Sequence, residues 1–286
     1  MCSERDDPLE RWRAELAAWT IPDEILARAT ESPWGFPVGL FQERAGLARA
    51  QAPTPSNLEA LRELPEGGTV LDVGAGAGAG SLPLAGRAGR LVAVDESAAM
   101  LAAFRDQAAA AKVEAPTIQG RWPDVAGEVD AADVVVCHHV LYNVPDLAAF
   151  ALALTSHACH RVVVELSDRH PQVDLGPLWH RFHGLERPGG PTADDAEAAL
   201  RHLGLDLKRE DWSATSSSNQ VNWDEVVAFT RRRLCLPPGR EAEVSEALEE
   251  ARAAGHNLPF LGGVPRRLVT LSWPGSAHEE REEVRS

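Results

Sequence analysis

Between residues 8 and 64 apolar positions recur at helical spacing and are broken by Pro and Gly. "PLERWRAELAAW" and "PDEILARA" read as amphipathic helices, "ESPWGFPVG" as a loop, and "PSNLEALREL" as a helix starting at Ser56 or Asn57. From Thr69 the period changes. Short β-branched runs, "TVLDV", "RLVAVD", "APTIQG", "ADVVVCHHV" and "RVVVEL", alternate with Ala-rich helical stretches. That alternation predicts βαβ units feeding a mostly parallel sheet buried on both faces. Beyond Glu165 come a loop, a helix "TADDAEAALRHLG" with Thr192 as its N-cap, a strand in "LDLKREDWSA", helical sequence from about 222 to 255 and a last apolar strand, "RRLVTLSWPG". No internal repeat or long Pro/Ser/Gly linker divides the chain. The expected organisation is a helical N-terminal extension or lid over residues 1–55, one α/β domain over 56–275, and a charged, disordered tail over 276–286.

Composition narrows this picture only slightly. The chain has 286 residues, 44% of them hydrophobic, which suits one large domain with a buried core. The N-terminus "MCSERDDPLERW" lacks an apolar signal region, and no window approaches the roughly 20 apolar residues of a membrane span, so a cytoplasmic protein without membrane partners is expected. Cys2, Cys137, Cys159 and Cys235 are too scattered for a zinc knuckle or redox pair and are expected to be reduced. The net charge of −15 disfavours nucleic acid as a partner. The one basic run, Arg231 to Arg233, reads as a solvated helix face more readily than as an anion site.

The glycines carry the chemistry. Gly74, Gly76, Gly78 and Gly80 directly follow the strand "TVLDV", where a tight turn lets a ligand approach the main chain at a helix N-terminus. "GAGAGA" even satisfies a dinucleotide pattern, and Asp95 at the end of the next strand suits a ribose diol in either kind of nucleotide site. Asp72 separates the two readings. A carboxylate at the strand's mouth repels a pyrophosphate and attracts a ligand bearing an ammonium and a sulfonium, as S-adenosylmethionine does.

In these residues the sequence resembles the class I S-adenosylmethionine-dependent methyltransferases, in their small-molecule branch. Their first motif reads acid-x-Gly-x-Gly-x-Gly, here Asp72, Gly74, Gly76 and Gly78; "VDESAAML" and "ADVVVCHHVLYNVPDL" resemble the second- and fourth-strand motifs. The resemblance covers roughly residues 56 to 170. It implies a seven-stranded, Rossmann-like sheet between helices, mostly parallel with an antiparallel last strand. It also implies S-adenosyl-L-methionine as cofactor, held near Asp72, Gly74, Ala75, Gly76 and Gly78, with Asp95 on the ribose hydroxyls, Glu96 and Met100 near ribose and adenine, and Cys137 beside the methionine part. The third-strand segment, Gly120, Arg121 and Trp122, departs from the pattern. Arg121 stands where many relatives carry an acid for the adenine amino group, leaving Trp122, a backbone group or Asp124 to recognise the ring.

For catalysis the candidates are His139 first, then Tyr142 and His138, at the carboxyl end of the fourth strand. The competing reading of His139 is a histidine satisfied by a backbone carbonyl. Adjacent His138 and His139 are expected to point to opposite sides of an extended segment and to share no metal. "HACH" and "HRFH" read as surface histidines, and no metal site is expected. An acceptor could be walled by Trp34, Phe36 and Phe41 ahead of the sheet, and by Trp179, His180 and His183 after the fifth strand. The expected reaction is methyl transfer to an oxygen or nitrogen of a small molecule; a homodimer is compatible with it. A NAD(P)-dependent oxidoreductase and a non-catalytic cofactor-binding protein remain as alternatives.

Overall fold

The computed structural model describes residues 7–34, 38–215, 222–255 and 265–277. Cys2, Phe36 and the tail from residue 278 lie outside them. The chain begins with helices α1 (Pro8–Ala17), α2 (Asp23–Leu26), α3 (Val38–Ala50) and α4 (Pro55–Glu63). Strands β1 (Thr69–Val73) and β2 (Arg90–Asp95) lead to α5 (Ala98–Ala111) and β3 (Thr117–Gln119). Then come β4 (Ala132–His138), α6 (Leu147–Ser156), β5 (Ala158–Ser167), α7 (Gly176–His183) and α8 (Ala193–His202). The chain closes with β6 (Lys208–Thr215), α9 (Trp223–Arg233), α10 (Glu241–Ala253) and β7 (Pro265–Pro274).

The seven strands form one sheet in the order β3-β2-β1-β4-β5-β7-β6. All pairs are parallel except those of β7, which runs antiparallel to both β5 and β6. Period-two alternation assigns the two faces. Leu71, Val73, Val135, Val162 and Val164 meet α1, α6 and α8, while Val70, Leu91, Ala93, Val134 and Val136 meet α4 and α5. A third apolar cluster, built by Ile21 and Ile25, Trp179, Val226 and Val227, and Val244 and Leu248, makes a cap of α2, α7, α9 and α10.

α1 belongs to the main core. Trp12 is fully buried, and its Nε1–H donates to the Val144 carbonyl at 2.8 Å. Trp12→Phe keeps most of the packing but orphans that carbonyl, so thermal unfolding should report a loss of about 1–3 kcal/mol.

Two local expectations are corrected. α4 is capped by Thr54, not by Ser56 or Asn57: Thr54 Oγ1 accepts from the Asn57 amide, and the Asn57 side chain accepts from the Thr54 amide, with Pro55 opening the helix. No α-helix follows the glycine segment. Only a 3₁₀ turn, Leu82–Leu84, lies between β1 and β2, because Gly74, Gly76, Gly78, Gly80, Gly86, Gly89 and Pro83 crowd one short connection and each disfavours helix by about 1 kcal/mol or more. α3 and α4 lie against this connection instead. Asn57 Nδ2 of α4 donates to the Gly80 carbonyl at 3.2 Å.

Candidate active site

The β1–β2 connection shapes a backbone cradle. Gly74 has φ +71°, and a Cβ there would come within 2.3 Å of Val140 Cγ2, so only glycine fits. Gly76 has φ +52° and faces open space, with Phe41 of α3 its nearest neighbour at 3.9 Å from an ideal Cβ. Asp95 stitches the cradle together: its Oδ2 accepts from the Gly76 amide and its Oδ1 from the Ser97 amide, both at 2.8 Å. Each oxygen keeps a second lone pair.

Asp72 lies under this cradle, 1% exposed, with the Ser81 hydroxyl donating to Oδ2 at 2.5 Å. Burial pushes its carboxyl up to about 7, Ser81 opposes the rise, and the nearby Asp95 charge adds to it. A buried acid in this condition is poised for a cationic group. Cys137 is fully buried beside it, its thiol raised by burial and then by the Asp72 charge.

The adenine end is more open. Glu96 and Arg121 are exposed and paired at 3.7 Å, so Arg121 meets an acid of the second-strand motif across this edge. Met100 is buried near the start of α5, and the Gly120 amide donates to the Asp95 carbonyl at 3.0 Å. Trp122 sits in the core, 5% exposed, its ring edge-on to His157 at 4.9 Å. Core packing therefore claims this ring, and the reading of Trp122 as an adenine platform is corrected accordingly.

At the end of β4 the backbone departs from the expected course. His139 has φ +60°, a region that a side-chain-bearing residue rarely adopts. This turn overturns the expectation that His138 and His139 point apart. His139 Nε2 lies 3.1 Å from Glu165 Oε1, and His138 Nδ1 lies 3.9 Å from Glu165 Oε2, so both imidazoles flank one carboxylate of β5. Burial works against the Glu165 charge, but the two imidazoles and a hydrogen bond from Ser56 outweigh it and hold the carboxyl well below the ordinary range. Ser56 in turn bonds to Thr270 Oγ1 at 2.7 Å. His138 is buried against Gly80, and that burial lowers its basicity despite Glu165. Among the described residues no group of three His, Cys, Asp or Glu side chains is placed to hold a metal ion.

Tyr142 is corrected from candidate base to scaffold. Its hydroxyl donates to the Ser167 carbonyl at 2.7 Å, its ring stacks on Trp12 at 5.7 Å, and burial raises its pKa far above the usual phenol range. Glu165 is the charged residue of this cluster that the sequence reading missed. The signal was present: it is the one acid in "RVVVEL", and a charge in a strand buried on both faces requires partners.

The outer walls also differ from expectation. Trp179 is fully buried in the cap, the His183 ring nitrogen Nε2 contacts the Leu234 carbonyl at 2.7 Å, and His180 is exposed beside Glu186. The three do not form an acceptor wall. Trp34 is 50% exposed. Of the expected surface histidines, His157 is held between the Ala126 and Ala153 carbonyls at 3.0 and 2.8 Å. The basic run is no solvated face either: Arg231 and Arg233 are 6% and 7% exposed. Arg231 is neutralised by Glu31 and by Glu241, the latter at 3.1 Å.

A sequence profile for the methyltransferase domain matches residues 70–163, which run from β1 into β5 and include the cradle, Asp95 and the His138–His139 turn. Over these residues the chain carries a methyltransferase domain. No curated protein sequence matches the chain. Solved structures share the fold of this chain at low identity. The structure describing conversion of a disulfide bond into a thioacetal group during echinomycin biosynthesis is 16% identical, covers 82% of this chain and 87% of its own, and superimposes with a TM-score of 0.51. A cyclopropane-fatty-acyl-phospholipid synthase-like protein from Lactobacillus casei ATCC 334 is 15% identical, covers 88% and 98%, and gives 0.50. Magnesium protoporphyrin IX methyltransferase from Synechocystis PCC 6803, solved with bound S-adenosylhomocysteine, is 16% identical, covers 81% and 82%, and gives 0.46. Among the described residues no helix is long and apolar enough to cross a membrane.

Proposed function

We propose that this methyltransferase acts on an oxygen or nitrogen of a small molecule, with His139 as the general base. The carrying observation is the His139–Glu165 pair at 3.1 Å, beside the glycine cradle. S-adenosylmethionine supplies the electrophilic methyl group when bound. The donor set fits it: among the described residues buried Asp72 has no cationic partner, which an ammonium would provide, the cradle amides at Gly74, Ala75, Gly76 and Gly78 suit its carboxylate, and Asp95 keeps lone pairs for ribose hydroxyls. Glu96, Met100, Gly120 and Arg121 border the adenine end, and Cys137 the methionine end.

With Nε2–H donating to Glu165, the basic lone pair of His139 lies on Nδ1, and the side chain is 47% exposed. Nδ1 takes the acceptor's proton as the nucleophile is aligned, and Glu165 stabilises the imidazolium that forms. His138, kept neutral by burial, packs behind the cradle. We read residues 1–55 as the extension that closes over the site, with Phe41 nearest the cradle, and 56–275 as the catalytic domain. Placement in the cytoplasm and an acceptor that is neither nucleic acid nor lipid bilayer complete the proposal.

Calorimetric titration with S-adenosylhomocysteine, with NAD and NADP as controls, tests the cofactor site. Turnover of a panel of small hydroxyl- and amine-bearing acceptors, read as a methyl mass increment, tests the rest. Saturable binding of the thioether and methylation of such an acceptor support the reading; binding of a dinucleotide instead would sink it.

A further inference from the structure

His139 and Glu165 stand at one end of a polar chain that crosses the sheet on the face covered by α4. In the ladder His138 on β4 pairs with Glu165 on β5, and Glu165 pairs with Thr270 on β7, so the carboxylate and the Thr270 hydroxyl share that face as direct neighbours. Ser56 of α4 closes over both. Its hydroxyl oxygen lies 2.7 Å from Thr270 Oγ1, and its side chain also hydrogen-bonds the Glu165 carboxylate. Trp212, two residues beyond the Glu210 that pairs with Thr270 on the edge strand β6, donates its Nε1–H to Thr270 Oγ1 at 3.0 Å. Ser56, Thr270 and Glu165 are 0%, 3% and 7% exposed, so water does not compete for these bonds.

The direction of each proton in this chain follows from the chemistry of its members. An indole N–H only donates, so Thr270 Oγ1 accepts from Trp212 and keeps its own hydrogen for another partner. Ser56 has two acceptors within reach, a neutral hydroxyl and a buried carboxylate, and the charged one forms the stronger bond. The Ser56 hydrogen therefore goes to Glu165, and its oxygen accepts from Thr270. Glu59, a buried acid of α4, makes no demand on these two hydroxyls, since Ser272, Arg62 and Lys208 meet it. The chain thus ends on an acid flanked by two imidazoles. Oε1 faces His139 at 3.1 Å and Oε2 lies 3.9 Å from His138, so the way the carboxylate is turned decides which imidazole it holds.

We propose that Ser56, Thr270 and Trp212 are positioning residues that keep the Glu165 carboxylate turned toward His139, and with it the tautomer that leaves the His139 Nδ1 lone pair free. Because Trp212 only donates, the chain's polarity runs from the sheet edge to the acid and not back, and Glu165 accepts from both Ser56 and His139. A base works only in the tautomer that presents its lone pair, and an acid that only accepts at Nε2 fixes it. The inference rests on the methyl-transfer reading for the role of His139, while the hydrogen-bond chain itself does not depend on that reading.

Long-range nitrogen–proton spectra of the full chain carrying isotope-labelled histidine, at pH 8.5, read which ring nitrogen of neutral His139 holds the proton, its resonance being assigned by its absence in His139→Asn. The wild type is expected to hold it on Nε2. In Ser56→Ala the ratio of the Nε2–H to the Nδ1–H form should fall about fivefold, the effect of losing one ordinary hydrogen bond. Trp212→Phe, at the half-buried end of the chain, leaves Thr270 Oγ1 open to the Ser56 hydrogen and should lower the ratio in the same direction. Thr270→Ser keeps the hydroxyl and loses only a methyl, so it should match the wild type. If Ser56→Ala fails to fold, Trp212→Phe carries the test. An Nδ1–H form in the wild type, an unchanged ratio in either folded variant, or a loss in Thr270→Ser as large as in the others overturns the chain and leaves methyl transfer standing. The expected ratios in a protein that does not bind S-adenosylhomocysteine support the chain and remove the methyl-transfer reading instead.

Discussion

Affinity for S-adenosylhomocysteine is expected to rise about tenfold per pH unit up to about pH 7 and then level off, with proton release on binding below that pH. The cause is Asp72, whose carboxyl burial holds at about 7 in the folded protein against an ordinary 3.8. Below that pH the acid is largely protonated, and an arriving ammonium must expel the proton to gain its partner. Calorimetry at pH 6 in buffers of different ionisation enthalpy should show nearly one proton released, and at pH 8.5 almost none. Asp72→Asn should flatten the pH dependence and weaken thioether binding at pH 8 by tenfold or more. A pH-independent affinity in the wild type would remove Asp72 from cofactor binding.

The same acid governs stability in the opposite sense. A carboxyl with a raised folded pKa makes the folded state bind more protons than the unfolded state, so stability falls as pH rises from about 4 to about 7. The full penalty, about 4 kcal/mol at most, is present above pH 7. Without cofactor, Asp72→Asn should therefore unfold at a higher temperature than wild type at pH 8, and at nearly the same temperature at pH 4. A variant that binds its ligand worse yet melts higher marks a residue kept for function.

Glu165→Gln is expected to lower kcat by about 10²-fold or more, because a positioned base contributes about 10²–10⁴-fold and loses much of that without the charge that stabilises its imidazolium. Thioether affinity should stay near the wild-type value. His139→Asn tests the partner better than Ala would, since Asn tolerates the φ +60° backbone, and it should lower kcat to a similar extent. The double variant should fall little further than either single one, as members of one unit do. Equal turnover in His139→Asn would make the pair a structural clasp. Glu165 also stabilises the fold: its folded pKa is depressed, so that contribution is complete at neutral pH and is lost only as the pH falls below the ordinary carboxylate range. Glu165→Gln should accordingly melt lower at pH 7.

Much of the site was legible along the chain. Asp72, the glycines and Asp95 lie within one strand–turn–strand unit, where local spacing fixes their relation, and Thr192 capped its helix as its neighbours required, through a reciprocal bond with Asp195. The strand series and the antiparallel last strand followed from β-branched runs and their punctuation. The errors share a different origin. The missing helix after the cradle reflects glycine density that the motif alone obscured. Tyr142 resembled a catalytic residue until the buried carbonyl of Ser167 claimed its hydroxyl, and Trp179 and the basic run resembled surface until the cap closed over them.

The sequence alone determined the sheet, the glycine turn and the acid beneath it, because these depend on residues close in the chain whose periodicity and backbone freedom act locally. Only the tertiary structure decided which side chains meet. Glu165 faces His139 because β5 lies beside β4 and the chain turns left-handed at the strand's end. Desolvation then fixes the character of these groups, since the cost of burying a charge depends on everything that surrounds it rather than on its neighbours in sequence.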